Sequence, residues 1–110
     1  MQLKEISEKL NLKPLTNFED REVQGVFIAD MMTDLMTNAQ AGNLWLTIQT
    51  HKTIISAANL VDISAIVITH GKTVPEETLE LANRYNVVIL STELSTFQLV
   101  GKLIEIGLTT

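Results

Sequence analysis

Ala65-Ile66-Val67-Ile68-Thr69-His70-Gly71-Lys72-Thr73-Val74-Pro75-Glu76 is the stretch on which the fold turns. Four apolar residues in a row, three of them β-branched, read as a strand covered on both faces. The polar turn after them runs into Thr73-Val74-Pro75-Glu76, a capping-box pattern with proline in the first turn, which predicts a helix over Glu76–Tyr85. Val87-Val88-Ile89-Leu90 is a second continuous apolar run. Working outward, β-rich runs fall at Val23–Ala29, Leu44–Gln49, Ala65–Thr69 and Val87–Ser91, each followed by a helical pattern. Strand-then-helix repetition at this spacing specifies parallel strands joined by crossover helices. The expected fold is α/β: a small three-layer α/β/α domain with a mainly parallel sheet of about four strands. Short β-branched runs weigh against a helical solenoid.

The remaining helices have readable faces and ends. Leu3–Leu12 places Leu3, Ile6 and Leu10 on one side, and Pro14 is expected to end it. No basic recognition helix follows, which argues against a helix-turn-helix. Asn17 to Glu22 reads as a polar connector. Asp30 is expected to cap Met31–Ala39, whose stripe is Met31, Leu35 and Ala39, with Gly42 as its stop. Met31, Met32 and Met36 read better as core filling than as an adaptable surface. Thr53–Val61 carries Ala57 and Ala58, small enough for close packing on the sheet. Ser95-Thr96-Phe97-Gln98 repeats the capping-box pattern and opens a last helix that stops near Gly107. In that helix Leu99, Val100, Leu103, Ile104 and Ile106 span about half the circumference, so it is either wedged into the core or half of a homodimer contact.

Composition excludes several classes of function. The 110 residues, 45% hydrophobic and 19% charged, suit one folded domain, 1–110. Within it, 1–16 is the N-terminal helix and connector, and 23–108 the repeated strand–helix units. A net charge of −5 and scattered cations (Lys9, Lys13, Lys52, Lys72, Arg84, Lys102) argue against nucleic acid and anionic membranes as partners. Without cysteine there is no disulfide scaffold, thiolate nucleophile or cysteine-ligated metal. No apolar run approaches the ~20 residues that span a bilayer, and a soluble, cytoplasmic protein is expected.

Ligands of parallel α/β sheets sit beyond the carboxyl ends of the strands, where the strand order switches. The polar residues expected there are Asp30 after the first strand, Gln49, Thr50 and His51 after the second, Thr69, His70, Gly71 and Lys72 after the third, and Ser91 and Thr92 after the fourth. Should the second and third strands be neighbours, His51 and His70 would face one cleft. Helix N-termini at this edge favour an anionic group. Strand-to-helix turns also use Thr, Ser, Asp and Gly simply as caps, and that reading stands beside the functional one. His70-Gly71-Lys72-Thr73 is not a phosphate loop, because the first glycine it needs is Ile66, inside a strand. Two histidines and an aspartate on three loops are too few for a zinc site. No serine stands in a G-x-S-x-G elbow, and Glu76-Glu77 is explained by the helix dipole.

Gly42-Asn43-Leu44-Trp45-Leu46-Thr47-Ile48-Gln49-Thr50-His51, with Gly25-Val26-Phe27-Ile28-Ala29-Asp30 before it and Leu94-Ser95-Thr96-Phe97 after it, resembles the DRTGG domain over about residues 23–108. DRTGG domains are similar to the N-terminal domain of HPr serine kinase/phosphorylase. The resemblance implies an α/β regulatory or accessory domain, found beside CBS pairs or within larger metabolic enzymes. It supplies no catalytic residues, and it marks Gln49, Thr50 and His51 as a shared ligand edge. The namesake Asp-Arg-Thr-Gly-Gly pentapeptide does not occur here, and the kinase's phosphate loop belongs to a separate catalytic domain.

The expected function is therefore a non-catalytic, ligand-sensing module without a cofactor. It would be homodimeric through the last helix, bind a small anionic or nucleotide ligand, and act on a metabolic enzyme or kinase. The alternatives are an assembly subunit with no small ligand, and an enzyme using His51 or His70 as an acid–base.

Overall fold

The computed structural model describes residues 1–108; the last two residues of the expected domain lie outside the described residues. In chain order the elements are α1 (Leu3–Lys9), β1 (Lys13–Pro14), β2 (Val26–Ile28), α2 (Met32–Asn38), β3 (Leu44–Thr47), α3 (Thr53–Val61), β4 (Ala65–Ile68), α4 (Glu76–Arg84), β5 (Ile89–Ser91) and α5 (Thr96–Glu105). The five strands form one sheet in the order β1-β5-β4-β3-β2. β2 to β5 are parallel, as expected, and β1 adds an antiparallel edge, pairing Lys13 with Ser91 and Pro14 with Leu90. Pro14 thus sits in a strand instead of ending α1, and an edge strand is where a residue without an N–H is tolerated.

The parallel strands lie side by side in sequence order, so every crossover steps in the same direction. Right-handed connections then put α2, α3 and α4 on one face. The two cores agree. Leu44, Leu46, Val67 and Leu90 pack with Leu3 and Ile6 of α1 and Leu99 and Leu103 of α5. Trp45, Ile66, Ile68 and Ile89 pack on the other side with Leu35, Ile54, Ile55 and Ala82 of α2, α3 and α4. Alternate residues of β3 and β4 feed opposite layers and all eight are buried, which is why these strands lack polar alternation in sequence. Among β2 to β5 the order never reverses, so the switch point expected to mark the ligand site is absent.

Four helices end in one device. At Asn11, Asp62, Asn86 and Gly107 the backbone turns left-handed, with φ of 55°, 65°, 57° and 96°. The next amide then reaches back to the helix: Leu12 to Ser7, Ile63 to Ala58, Val87 to Ala82 and Leu108 to Leu103, at 2.9–3.0 Å. Each residue after the turn is apolar and buried. These are Schellman motifs, and they deliver the chain from helix end back to the core. α2 ends differently, at Asn38, and Gly42 (φ 83°) instead shapes the turn into β3.

Three other expectations are corrected. Met31, not Asp30, precedes the first residue of α2, and it makes no side-chain cap. Pro75 occupies that place for α4, so Thr73 closes no capping box. Met31 and Met36 are exposed, at 65% and 51%; of the three only Met32 packs against the core, beside Leu35, the one fully buried residue of α2. The Ser95–Gln98 capping box of α5 is formed in full. No helix among the described residues is long and apolar enough to cross a membrane.

Candidate functional site

The carboxyl ends of β2 to β5 carry the polar residues singled out by the sequence, and their hydrogen bonds separate those held in place from those left open. The Asp30 carboxylate accepts from the Thr47 hydroxyl at 2.9 Å and from the Ile48 amide at 3.1 Å. Gln49 donates its side-chain amide to the Asp30 carbonyl, and its backbone amide to the Thr47 hydroxyl at 3.1 Å. Asp30 and Gln49 therefore tie the end of β2 to the loop after β3. The Thr50 carbonyl accepts from the Thr78 hydroxyl of α4 at 2.8 Å.

The two histidines do the work of caps. His51 Nδ1 lies 3.3 Å from the Thr53 amide and 3.2 Å from the Thr53 hydroxyl, at the start of α3. His70 Nε2 accepts from the Thr96 amide at 3.4 Å, at the start of α5. β3 and β4 are neighbours, but α3 and α5 cover opposite faces of the sheet, so the imidazoles are not brought into one cleft. Thr69, wholly buried, shares a hydrogen bond of 3.0 Å with the Thr96 hydroxyl. Among the described residues no serine hydroxyl bonds to either histidine, and no three His, Asp or Glu groups converge as metal ligands do.

The turn after β4 also has a structural explanation. His70 and Gly71 are both left-handed, at φ 62°, and their amides donate to the carbonyls of Leu94 and Thr92 at 2.8 and 2.9 Å. A phosphate loop needs such amides free. Glycine suits position 71: at its φ a side chain is strained, and a Cβ would displace the Glu93 carboxylate.

Of the ten candidates, the side chains of Thr50, Lys72 and Ser91 make no hydrogen bond among the described residues. Lys72 and Ser91 belong to one end of the sheet. A cavity of about 470 Å³ opens between the end of α1, β1, the end of β5 and α5, with Lys9, Lys13, Ser91, Thr92, Glu93 and Lys102 around it. A second, of about 270 Å³, shares Lys13, Ser91 and Glu93 and adds Gly71 and Lys72. Sequence reasoning dismissed these lysines as scattered, because β1, which carries Lys13 to the end of β5, has no pattern to reveal it. A third hollow, of about 450 Å³ and mostly apolar, lies between β2 and α5, where Ile28 and Ile104 are exposed. In α5 itself Leu99 and Leu103 are buried in the core and Val100 packs at its margin, as does Ile106 just past the helix end.

Glu77 of α4 is ion-paired with Lys52, which precedes α3. Hydrogen bonding to Lys52 at 2.8 Å, then the Lys52 charge, holds its carboxyl below the usual glutamate range, with a minor contribution from His51.

An α/β domain of this build, with its loops pinned by its own polar side chains, matches a known class. The chain belongs to the DRTGG domain family, whose model matches residues 5–106, most of α1 included. Among solved structures it is similar to the CBS and DRTGG domains of the regulatory region of Clostridium perfringens pyrophosphatase, complexed with its activator diadenosine tetraphosphate. The TM-score is 0.69 at 20% identity, over 90% of this chain and 44% of that one, so the chain spans less than half of that region and the likeness is one of fold. No curated protein matches significantly.

Proposed function

We propose that residues 1–110 form a single non-catalytic regulatory module. It binds a small ligand at the carboxyl edge of the sheet and passes its state to a metabolic enzyme or kinase in the cytoplasm. The observation that carries this reading is membership of the DRTGG family, with a fold shared over 90% of the chain with the regulatory region of a pyrophosphatase. A kinship of DRTGG domains with the N-terminal domain of HPr serine kinase/phosphorylase is part of this reading. Local geometry supports it: Asp30, Gln49, His51 and His70 hold loops and helix ends, which leaves no histidine pair for acid–base chemistry. The ligand is expected to be anionic or a nucleotide.

A thermal-shift panel tests this directly, using adenosine, adenine mono-, di- and triphosphates, diadenosine tetraphosphate and phosphorylated sugars. A ligand at a hundred times its Kd adds about 2.7 kcal/mol, or ~10 °C for a domain of this size. A panel in which no compound moves the melting temperature by more than about one degree contradicts the proposal.

The second reading is an assembly subunit without a small ligand. It draws on the apolar hollow between β2, the free sheet edge, and α5, which would serve a homodimer. A monomer by light scattering at high concentration removes the dimer from both readings.

A further inference from the structure

We propose that the paired cavities around Lys13 and Ser91 bind a compact polyanion, such as a di- or triphosphate group. This rests on the regulatory reading above and gives its ligand a charge, a size and a place.

The argument begins with charge. Four of the chain's eight Lys and Arg residues, Lys9, Lys13, Lys72 and Lys102, line these two cavities against the single carboxylate of Glu93. They come from α1, β1, the turn after β4, and α5. The chain as a whole carries −5. Lys9 is paired with Glu5 at 3.0 Å, whereas Lys13, Lys72 and Lys102 have no acidic partner within 4.0 Å among the described residues. Ammonium groups that outnumber the carboxylates among them repel one another and raise the local concentration of anions.

Shape and chemistry narrow the ligand. About 470 Å³ with an adjoining 270 Å³ is the size of a small-molecule site. Ser91, half-buried, lines both cavities, and its hydroxyl has no protein partner among the described residues and is available to a phosphate oxygen. No aromatic ring lines either cavity, so there is no platform for a nucleobase, and the anionic part is what is held. Lysines on flexible stems act as point charges and suit a multiply charged group more than one planar carboxylate. Glu93, common to both cavities, is the internal charge that such a ligand opposes.

Calorimetric titration of the full chain with inorganic tripolyphosphate at low salt, with ATP and adenosine as parallel probes, tests the proposal. Tripolyphosphate and ATP should bind and adenosine should not. Lys13→Ala and Lys102→Ala should each weaken tripolyphosphate about fivefold, and the double variant tenfold or more. Glu93→Gln should tighten it severalfold, a gain that loss of folding cannot mimic. Lys52→Ala, whose partner is Glu77 on α4, should leave it unchanged. Equal affinity in the double variant and the parent, or weaker binding by Glu93→Gln, places the anion elsewhere and overturns the inference while leaving the regulatory reading intact. Binding of adenosine without tripolyphosphate does the same. Failure of every compound in the thermal-shift panel overturns both.

Discussion

Asp30→Ala removes a carboxylate that accepts from the Thr47 hydroxyl at 2.9 Å and the Ile48 amide at 3.1 Å, and so distinguishes a loop-holding residue from a ligand-binding one. Because Asp30 is exposed, each bond counts as an ordinary one of roughly 0.5–1 kcal/mol, which makes about 1.5 kcal/mol for the pair. With an unfolding entropy of roughly 2 cal/mol/K per residue, that loss lowers the melting temperature by about 6 °C. The Thr47 hydroxyl still accepts from the Gln49 amide, but its own proton loses its acceptor in a buried residue, so the loss should not be smaller than this. Asp30→Asn retains one acceptor oxygen and should lose about half as much. Urea unfolding followed by far-ultraviolet circular dichroism measures the change, and titration with tripolyphosphate on the same variants should give the parent's affinity. A variant as stable as the parent that no longer binds would refute this assignment and return Asp30 to the ligand site.

Three further substitutions probe the scaffold. Ser95→Ala breaks the capping box of α5 and should cost about 1 kcal/mol in urea unfolding; no change would mean that the box contributes nothing to α5. Gly71→Ala forces a side chain into φ 62° against Glu93 and should destabilise by about 1–2 kcal/mol, whereas a neutral outcome would show that this turn relaxes freely. Glu77→Gln addresses pH. A carboxyl whose affinity for protons is lowered by folding stabilises above its unfolded value and loses that contribution as pH falls through its folded value. The gap in melting temperature between parent and variant should therefore be small at pH 7 and shrink as pH falls below the ordinary glutamate range, and a gap that widens on acidification contradicts the Lys52–Glu77 pairing.

The sequence discloses what is local and repeated. The bounds of α3, Thr53–Val61, coincide with the expected ones because its alanines and its flanking turns are unambiguous. β4 and the apolar part of β5 were legible as runs without alternation, since both of their faces are buried. Caps were read less well. Thr73 and Asp30 have the right chemistry at nearly the right place, yet Pro75 and Met31 take the positions they were assigned, and Asp30 serves a different loop. Two residues of β1 lie below any pattern, and Pro14 misdirects the reader toward a helix stop. The cluster of lysines was invisible for the same reason. Lys9 and Lys102 are 93 positions apart, and only the β1–β5 pairing and the packing of α1 beside α5 bring their neighbourhoods together. The histidines stand out in the sequence because both of the chain's two fall on this edge. Their partners, the amides of Thr53 and Thr96, become visible only once helix positions are known.

The most direct test of a ligand-sensing module with its site beside β1 is backbone amide chemical-shift mapping of the whole chain on titration with ATP. Saturable shifts should centre on residues 9–13, 71–73, 91–94 and 102, with residues 30 and 49–53 little affected. Shifts centred on residues 30 and 49–53, or none at saturating nucleotide, would contradict the account.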